Sequence, residues 1–293
     1  MFLTAKNRNI SQLLTRLILL VLLLLYTPIL IHWWDGWLHK SISIEHEYFS
    51  HGMIGLPFAA YLIWIQRKQW TRLPNKTHPL GIIFLIIGGI FYLSGVSEWV
   101  NLSFPIIITG ICLWLKGFAG LKLQSFPLIL IFFATPNSLP YLIAPLTLPL
   151  QSFIAGTAGF ILNQLGMDVN VEGINIFVAG KIVEVAPYCA GLKMLFTTLY
   201  VSLMLLYWTD TLSSRQKSIW FLSIAVLISV IANIIRNTIL TFFHGTGNSA
   251  AFHWLHDGWG GDLYSALMLI ALVPILNWMN KYFTSQSIIS AWD

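Results

Sequence analysis

Apolar residues in this chain come in long unbroken runs, without the 3.6-residue stripe of a surface helix or the strict alternation of a half-buried strand. Eight runs are long enough to approach or exceed the thickness of a bilayer core when helical: residues 13–34, 50–66, 79–96, 99–115, 125–141, 189–208, 218–243 and 260–279. The pattern predicts an all-α polytopic membrane protein, a single integral-membrane domain over 1–293 with about eight transmembrane helices. Between the fifth and sixth runs, Leu142 to Leu165 is apolar but broken by Pro145, Pro149, Gly156 and Gly159, and reads as a re-entrant or interfacial helix. The next stretch, MDVNVEGINIFVAGKIVEVAPY, alternates apolar and polar positions around Gly173 and Gly180. That alternation predicts two short strands, a β-hairpin-like segment at the membrane surface. The first run is too long for a removed signal peptide and lacks a small-residue cleavage site, so it is expected to stay as an anchor.

Composition agrees with the pattern. Hydrophobic residues make up 57% of the chain and charged ones 9%, with 13 Trp and 19 Phe, which excludes an ordinary soluble domain. The formal charge of +5 is distributed by segment, and this distribution sets an orientation. With the N-terminus inside, all of the 16 basic residues except Lys40, Lys181, Lys193 and Arg236 fall in cytoplasmic segments, whereas only Asp210 and Asp293 of the 11 acids do. Both termini are therefore expected in the cytoplasm. The charge is a topology signal and implies no nucleic acid partner.

Candidate chemistry gathers on the outer side. Cys112 and Cys189 fall toward opposite faces, too far apart for a disulfide, so Cys189 is a lone thiol at the mouth of the sixth run. Lys193 follows four residues later, on the same face if one helix carries both. Taken alone, the pair also reads as a small core thiol beside a snorkelling lysine. In the seventh run Arg236 lies deep in an apolar stretch with Asn233 three residues before it, a costly placement that points to a polar cavity or to a structural tie with helix-end carbonyls. The following loop, GTGNSAAFHWLHDGWGGD, supplies His253 and His256, and a helix starting near His256 would put Gly260 on its face. Three separate segments thus bring Cys189, Arg236 and His256 to one leaflet. A thiol needs a base or nearby positive charge to become a nucleophile; histidine can carry the proton, and a permanently charged arginine can stabilise an oxyanion. Gly191, two residues after the cysteine, would let a substrate backbone lie against the helix. His46, Glu47 and His51 fit no standard zinc spacing, and no metal or other cofactor is expected.

The motifs HGMIGLPFAAYLIW, FPLILIFFATP, VEVAPYCAGLKML, NIIRN and HDGWGGDLY, in this order over some 200 residues, resemble those of the exosortases, and most closely the cyanobacterial cyanoexosortases. The resemblance implies a membrane-embedded hydrolase, a cysteine protease or transpeptidase that cleaves a C-terminal PEP-CTERM-like sorting signal: a Pro-Glu-Pro-like motif, a transmembrane helix and a basic tail. It places the catalytic triad on Cys189, Arg236 and His256, within a catalytic part spanning 171–280. Implied partners are membrane-anchored substrate proteins, the lipid bilayer and an exopolysaccharide-associated acceptor. Ala190 stands where the family commonly has serine, and His253 is a rival to His256. A different class, a transporter or scaffold subunit of a polysaccharide or lipid-precursor export system, would also use eight spans and a buried arginine.

Overall fold

The computed structural model describes residues 2–39, 48–185 and 191–289. The chain divides into two compact units, Met1–Asn137 and Ser138–Asp293. In the first, the apolar N-terminal run becomes α1 (Phe2–His39), followed by α2 (Gly52–Ile65), α3 (Arg67–Arg72), α4 (Pro79–Leu93) and α5 (Ser97–Ala134). Polar side chains join these apolar helices at specific points. Tyr26 and Ser103 share a 2.7 Å hydrogen bond, and Trp33 Nε1 donates to Asn101 Oδ1 at 2.8 Å. The sequence predicts separate spans at 99–115 and 125–141; they form one helical stretch broken only at Gly117 (φ 61°, ψ −152°), which ends at Ala134. Beside that break, Lys116 Nζ donates to Leu73 O and Asn75 Oδ1, each at 2.7 Å, so its charge is satisfied by the loop before α4. Cys112, on the same helix, is buried.

The second unit opens with α6 (Leu139–Ile143), a 3₁₀ turn (Ala144–Thr147) and α7 (Leu148–Gln164). A sheet follows: β1 (Val169–Glu172), β2 (Asn175–Val178) and β3 (Lys181–Glu184), antiparallel in the order β1-β2-β3. The expected hairpin therefore has a third strand, because Val183 pairs with Ile176 and continues the alternation through a second turn at Gly180. Then come α8 (Leu192–Trp208), a 3₁₀ turn (Thr211–Ser213), α9 (Arg215–Gly245), α10 (Ser249–His256) and α11 (Trp259–Ile289).

One core joins the sheet to the helices: Ile176, Val178 and Val185 pack with Ile154, Ala158 and Leu162 of α7 and Ile234 of α9. The lysine at the start of β3 adds a polar tie, Lys181 Nζ donating to His244 O at 2.9 Å in the last turn of α9, where a helix favours a cation. A second core, with Leu206, Phe221, Ala225, Leu272 and Leu276, binds α8, α9 and α11. The first core holds the sheet against α7 and the latter half of α9; the second ties the C-terminal part of α8 to the first half of α9 and to α11.

Among the described residues, five helical stretches are long and apolar enough to cross a membrane: 20–38, 97–134, 145–164, 215–245 and 259–283. α2, α4 and α8 are shorter apolar helices. The segment read from sequence as re-entrant or interfacial thus supplies a 20-residue apolar stretch of its own. Large apolar side chains such as Leu24, Leu93 and Ile270 point outward, as on a surface whose solvent is lipid.

Candidate active site

The last residues before α8 carry the cysteine motif. Cys189 lies outside the described residues, which resume at Gly191. Gly191 is the N-cap of α8, with φ 81° and ψ 15°, a left-handed conformation that side-chain-bearing residues rarely hold. The helix begins only at Leu192. Lys193 is accordingly a half-buried first-turn residue, and the one-helix relation to Cys189 predicted from the four-residue spacing is interrupted at Gly191. The space beside Gly191 is also already filled. A Cβ built there would stand 2.6 Å from Asn233 Cγ and 2.7 Å from its Nδ2, so an asparagine packs on this face.

Asn233 and Arg236 share one face of α9. Asn233 is 1% exposed, and its backbone carbonyl and Oδ1 both accept from Asn237 Nδ2, at 2.9 and 3.2 Å. Arg236, half-buried one turn further along, reaches toward the loop between α10 and α11, its Nη2 donating at 3.5 Å to the backbone carbonyl of His256. The Nε of Arg236 and the Nδ2 of Asn233 are buried without a partner among the described residues. Tyr264 of α11 donates its hydroxyl to Ala232 O at 2.6 Å, tying α11 to α9 next to Asn233.

α10 ends at His256 and α11 starts at Trp259. His256 and Gly260 therefore belong to different helices, because the turn at Asp257–Gly258 breaks the continuous helix expected from sequence. Gly260 is buried, with Trp254 so near that a Cβ would meet its ring at 2.5 Å. Asp257, to which the sequence alone assigns no role, organises the histidines. His256 Nδ1 donates to Asp257 Oδ1 at 2.6 Å, and His253 Nδ1 donates to Oδ2 at 3.1 Å. Partial burial pushes the Asp257 carboxyl upward, but the hydrogen bonds and charge of the two imidazoles outweigh it and hold the group below its ordinary value. The signal was legible in HWLHD: an acid next to one histidine and four residues after the other. Phe252 stacks on His256 with ring centroids 5.1 Å apart and planes 10° apart, fixing the imidazole plane. His256 has 27% of its side chain exposed and His253 68%, so only the former is enclosed.

The second unit thus brings together Asn233 with Gly191, and Arg236 with His256 and Asp257. A shallow cleft of about 360 Å³ opens over the sheet beside Met167, Asp168 and Phe177, away from every one of these residues. Among the described residues no cluster of His, Cys, Asp and Glu forms a metal site. His46 and Glu47 lie outside the described residues, while His51 is buried and its Nε2 is paired with Phe133 O at 3.0 Å.

Residues 33–273 match the family model described as transmembrane exosortase (Exosortase_EpsH). No curated protein and no solved structure matches the chain.

Proposed function

Because the chain belongs to the transmembrane exosortase family, we propose that it is a multi-pass membrane cysteine peptidase or transpeptidase, of the cyanobacterial branch, that sorts exported proteins. Its substrates in this reading carry a C-terminal PEP-CTERM-like signal, and the second unit does the chemistry on the extracytoplasmic side. The observation that carries the reading is the contact of the Arg236 guanidinium with the carbonyl of His256, whose imidazole is anchored by Asp257.

An ionised carboxylate only accepts, so the 2.6 Å contact fixes the Nδ1–H tautomer of His256 and makes Nε2 the atom that exchanges protons. His256 takes the thiol proton of Cys189. The thiolate attacks the scissile carbonyl, forming the S–C bond as the carbonyl π pair moves onto oxygen. Collapse restores the carbonyl and breaks the C–N bond, and the departing amine takes the proton from His256. Arg236 remains charged throughout and stabilises the substrate oxygen. The resulting thioester is resolved by a second nucleophile, which bonds the acyl carbon and gives its proton to His256; the S–C bond then breaks and His256 returns that proton to the Cys189 sulfur. An amine or hydroxyl of an exopolysaccharide-associated acceptor makes the reaction a transpeptidation; water makes it hydrolysis. No redox step or cofactor enters either balance.

Cleavage of a membrane-anchored reporter bearing a Pro-Glu-Pro-type C-terminal helix tests the reading. Cys189→Ala, Arg236→Ala and His256→Ala are each expected to leave full-length protein in the membrane and the reporter uncut. Continued cleavage by a stable Cys189→Ala protein would exclude the thioester route.

A further inference from the structure

We infer that the Asn233 amide and the N-terminus of α8 together form an oxyanion-binding site for the tetrahedral intermediate; this deepens the acyl-transfer reading above and rests on it. The first-turn amides of an α-helix have no acceptor within the helix, and that end carries the positive pole of the helix dipole. Gly191, as N-cap, has no side chain with which to cap them. The independent observation is Asn233. It is 1% exposed, its Nδ2 has no acceptor among the described residues, and its amide packs against Gly191, with Nδ2 2.7 Å from where a Cβ on that glycine would stand. Its orientation is set from behind. Asn237 Nδ2 donates to Asn233 Oδ1, so the amide oxygen is engaged by Asn237 and the Nδ2 beside Gly191 keeps its donors for another acceptor.

A buried donor without a partner costs stability, and such groups are retained where an acceptor arrives during function. The acceptor here is an oxygen that gains negative charge. Chain connectivity alone keeps the Cα atoms of Cys189 and Gly191 within about 7 Å, because two peptide units separate them. When the Cys189 thiolate adds to a peptide carbonyl, the oxygen that receives the π pair develops its charge within reach of this donor set, and collapse of the intermediate removes that charge again. Asn233 is therefore a contact made chiefly in the transition state. Arg236, one turn on, supplies long-range positive charge without the short neutral donor.

Three readouts on full-length protein in detergent separate this role from a structural one. Asn233→Asp keeps an acceptor for Asn237 and removes the donor; Asn233→Ala removes both. For each, kcat for reporter cleavage is expected to fall about 100- to 1,000-fold, the range seen for loss of one oxyanion donor, with KM within about threefold. Affinity for a Pro-Glu-Pro-type peptide aldehyde, which forms a tetrahedral adduct with a thiol, should weaken by a similar factor. Alkylation of Cys189 by iodoacetamide, which creates no oxyanion, should keep its wild-type rate and so report an intact site. Unchanged kcat and aldehyde affinity in both variants would overturn the inference while leaving Cys189 as nucleophile. Loss of alkylation along with aldehyde binding would make Asn233 structural and overturn it too. A wild-type protein that cleaves the reporter but binds no aldehyde and resists alkylation would instead remove the nucleophile reading on which the inference rests.

Discussion

A single carboxylate holding two imidazoles gives the site an unusual dependence on one exposed acid. Asp257 is 63% exposed, yet it bonds His256 and His253 through both of its oxygens. Asp257→Asn preserves the shape, but the amide can present an N–H to His256 and favour the wrong tautomer. We predict that kcat falls at least 100-fold in Asp257→Asn with little change in KM, read from steady-state cleavage. His253→Ala should cost less than tenfold, because its ring touches the other carboxylate oxygen and stays in solvent. The acid limb follows from the sign of the shift. A carboxyl held below its ordinary value adds stability that is fully present above that value and lost only as pH falls through the lowered one. Amide exchange in 249–257 should therefore stay slow through the usual aspartate range and quicken only below it. At this scale the sequence marks Arg236 and Asn233, because a charge and an amide in an apolar run demand a reason, and the structure puts the Arg236 guanidinium against the carbonyl of His256. Asp257 was not singled out because an acid in a wet loop looks ordinary until its two partners are seen to share it.

At the scale of elements, the start of α8 was the least legible feature. Spacing alone suggested a helix continuous through Cys189 and Lys193, but an i,i+4 count cannot register the left-handed backbone at Gly191. That backbone lets Asn233 approach the helix start. Gly191→Ala should lower the melting temperature through two effects, about 1–2 kcal/mol of left-handed strain and displacement of Asn233 from 2.6 Å. Gly247 is the matched control: its φ is 74° and a Cβ there would meet nothing within 4 Å. Gly247→Ala should show the strain alone and retain activity, whereas Gly191→Ala loses both stability and cleavage. Equal melting shifts and equal activity in the two variants would rule out a specific role for the Gly191–Asn233 contact. The third strand escaped notice for a related reason. Alternation around two glycines suggests one hairpin, and only the pairing of Lys181–Glu184 with β2 reveals a further strand at the edge of a sheet.

For the whole molecule, the apolar runs made the class plain, because a chain that is 57% hydrophobic must satisfy its backbone in helices before it can enter lipid. They were less informative about segmentation. Two helical segments meet at the break at Gly117 within α5, and the helix expected in the 142–165 region is apolar over Leu148–Gln164. From the bias of lysine and arginine we predict both termini in the cytoplasm and the Arg236–His256 contact outside. Cysteines introduced at exposed Thr71 and Glu172 of a Cys112→Ala, Cys189→Ala background should then react with a membrane-impermeant maleimide only from the inside and only from the outside, respectively. Labelling of both from the same side would refute that topology.

The acyl-enzyme is the claim on which the chemistry depends, and intact-protein mass spectrometry reads it most directly. Full-length protein mixed with a detergent-solubilised substrate carrying a Pro-Glu-Pro-type C-terminal helix should gain the mass of the N-terminal cleavage product on Cys189. Hydroxylamine should remove that mass, and Cys189→Ala should never acquire it. An adduct on another residue, or substrate cleavage by folded Cys189→Ala protein, would contradict the account.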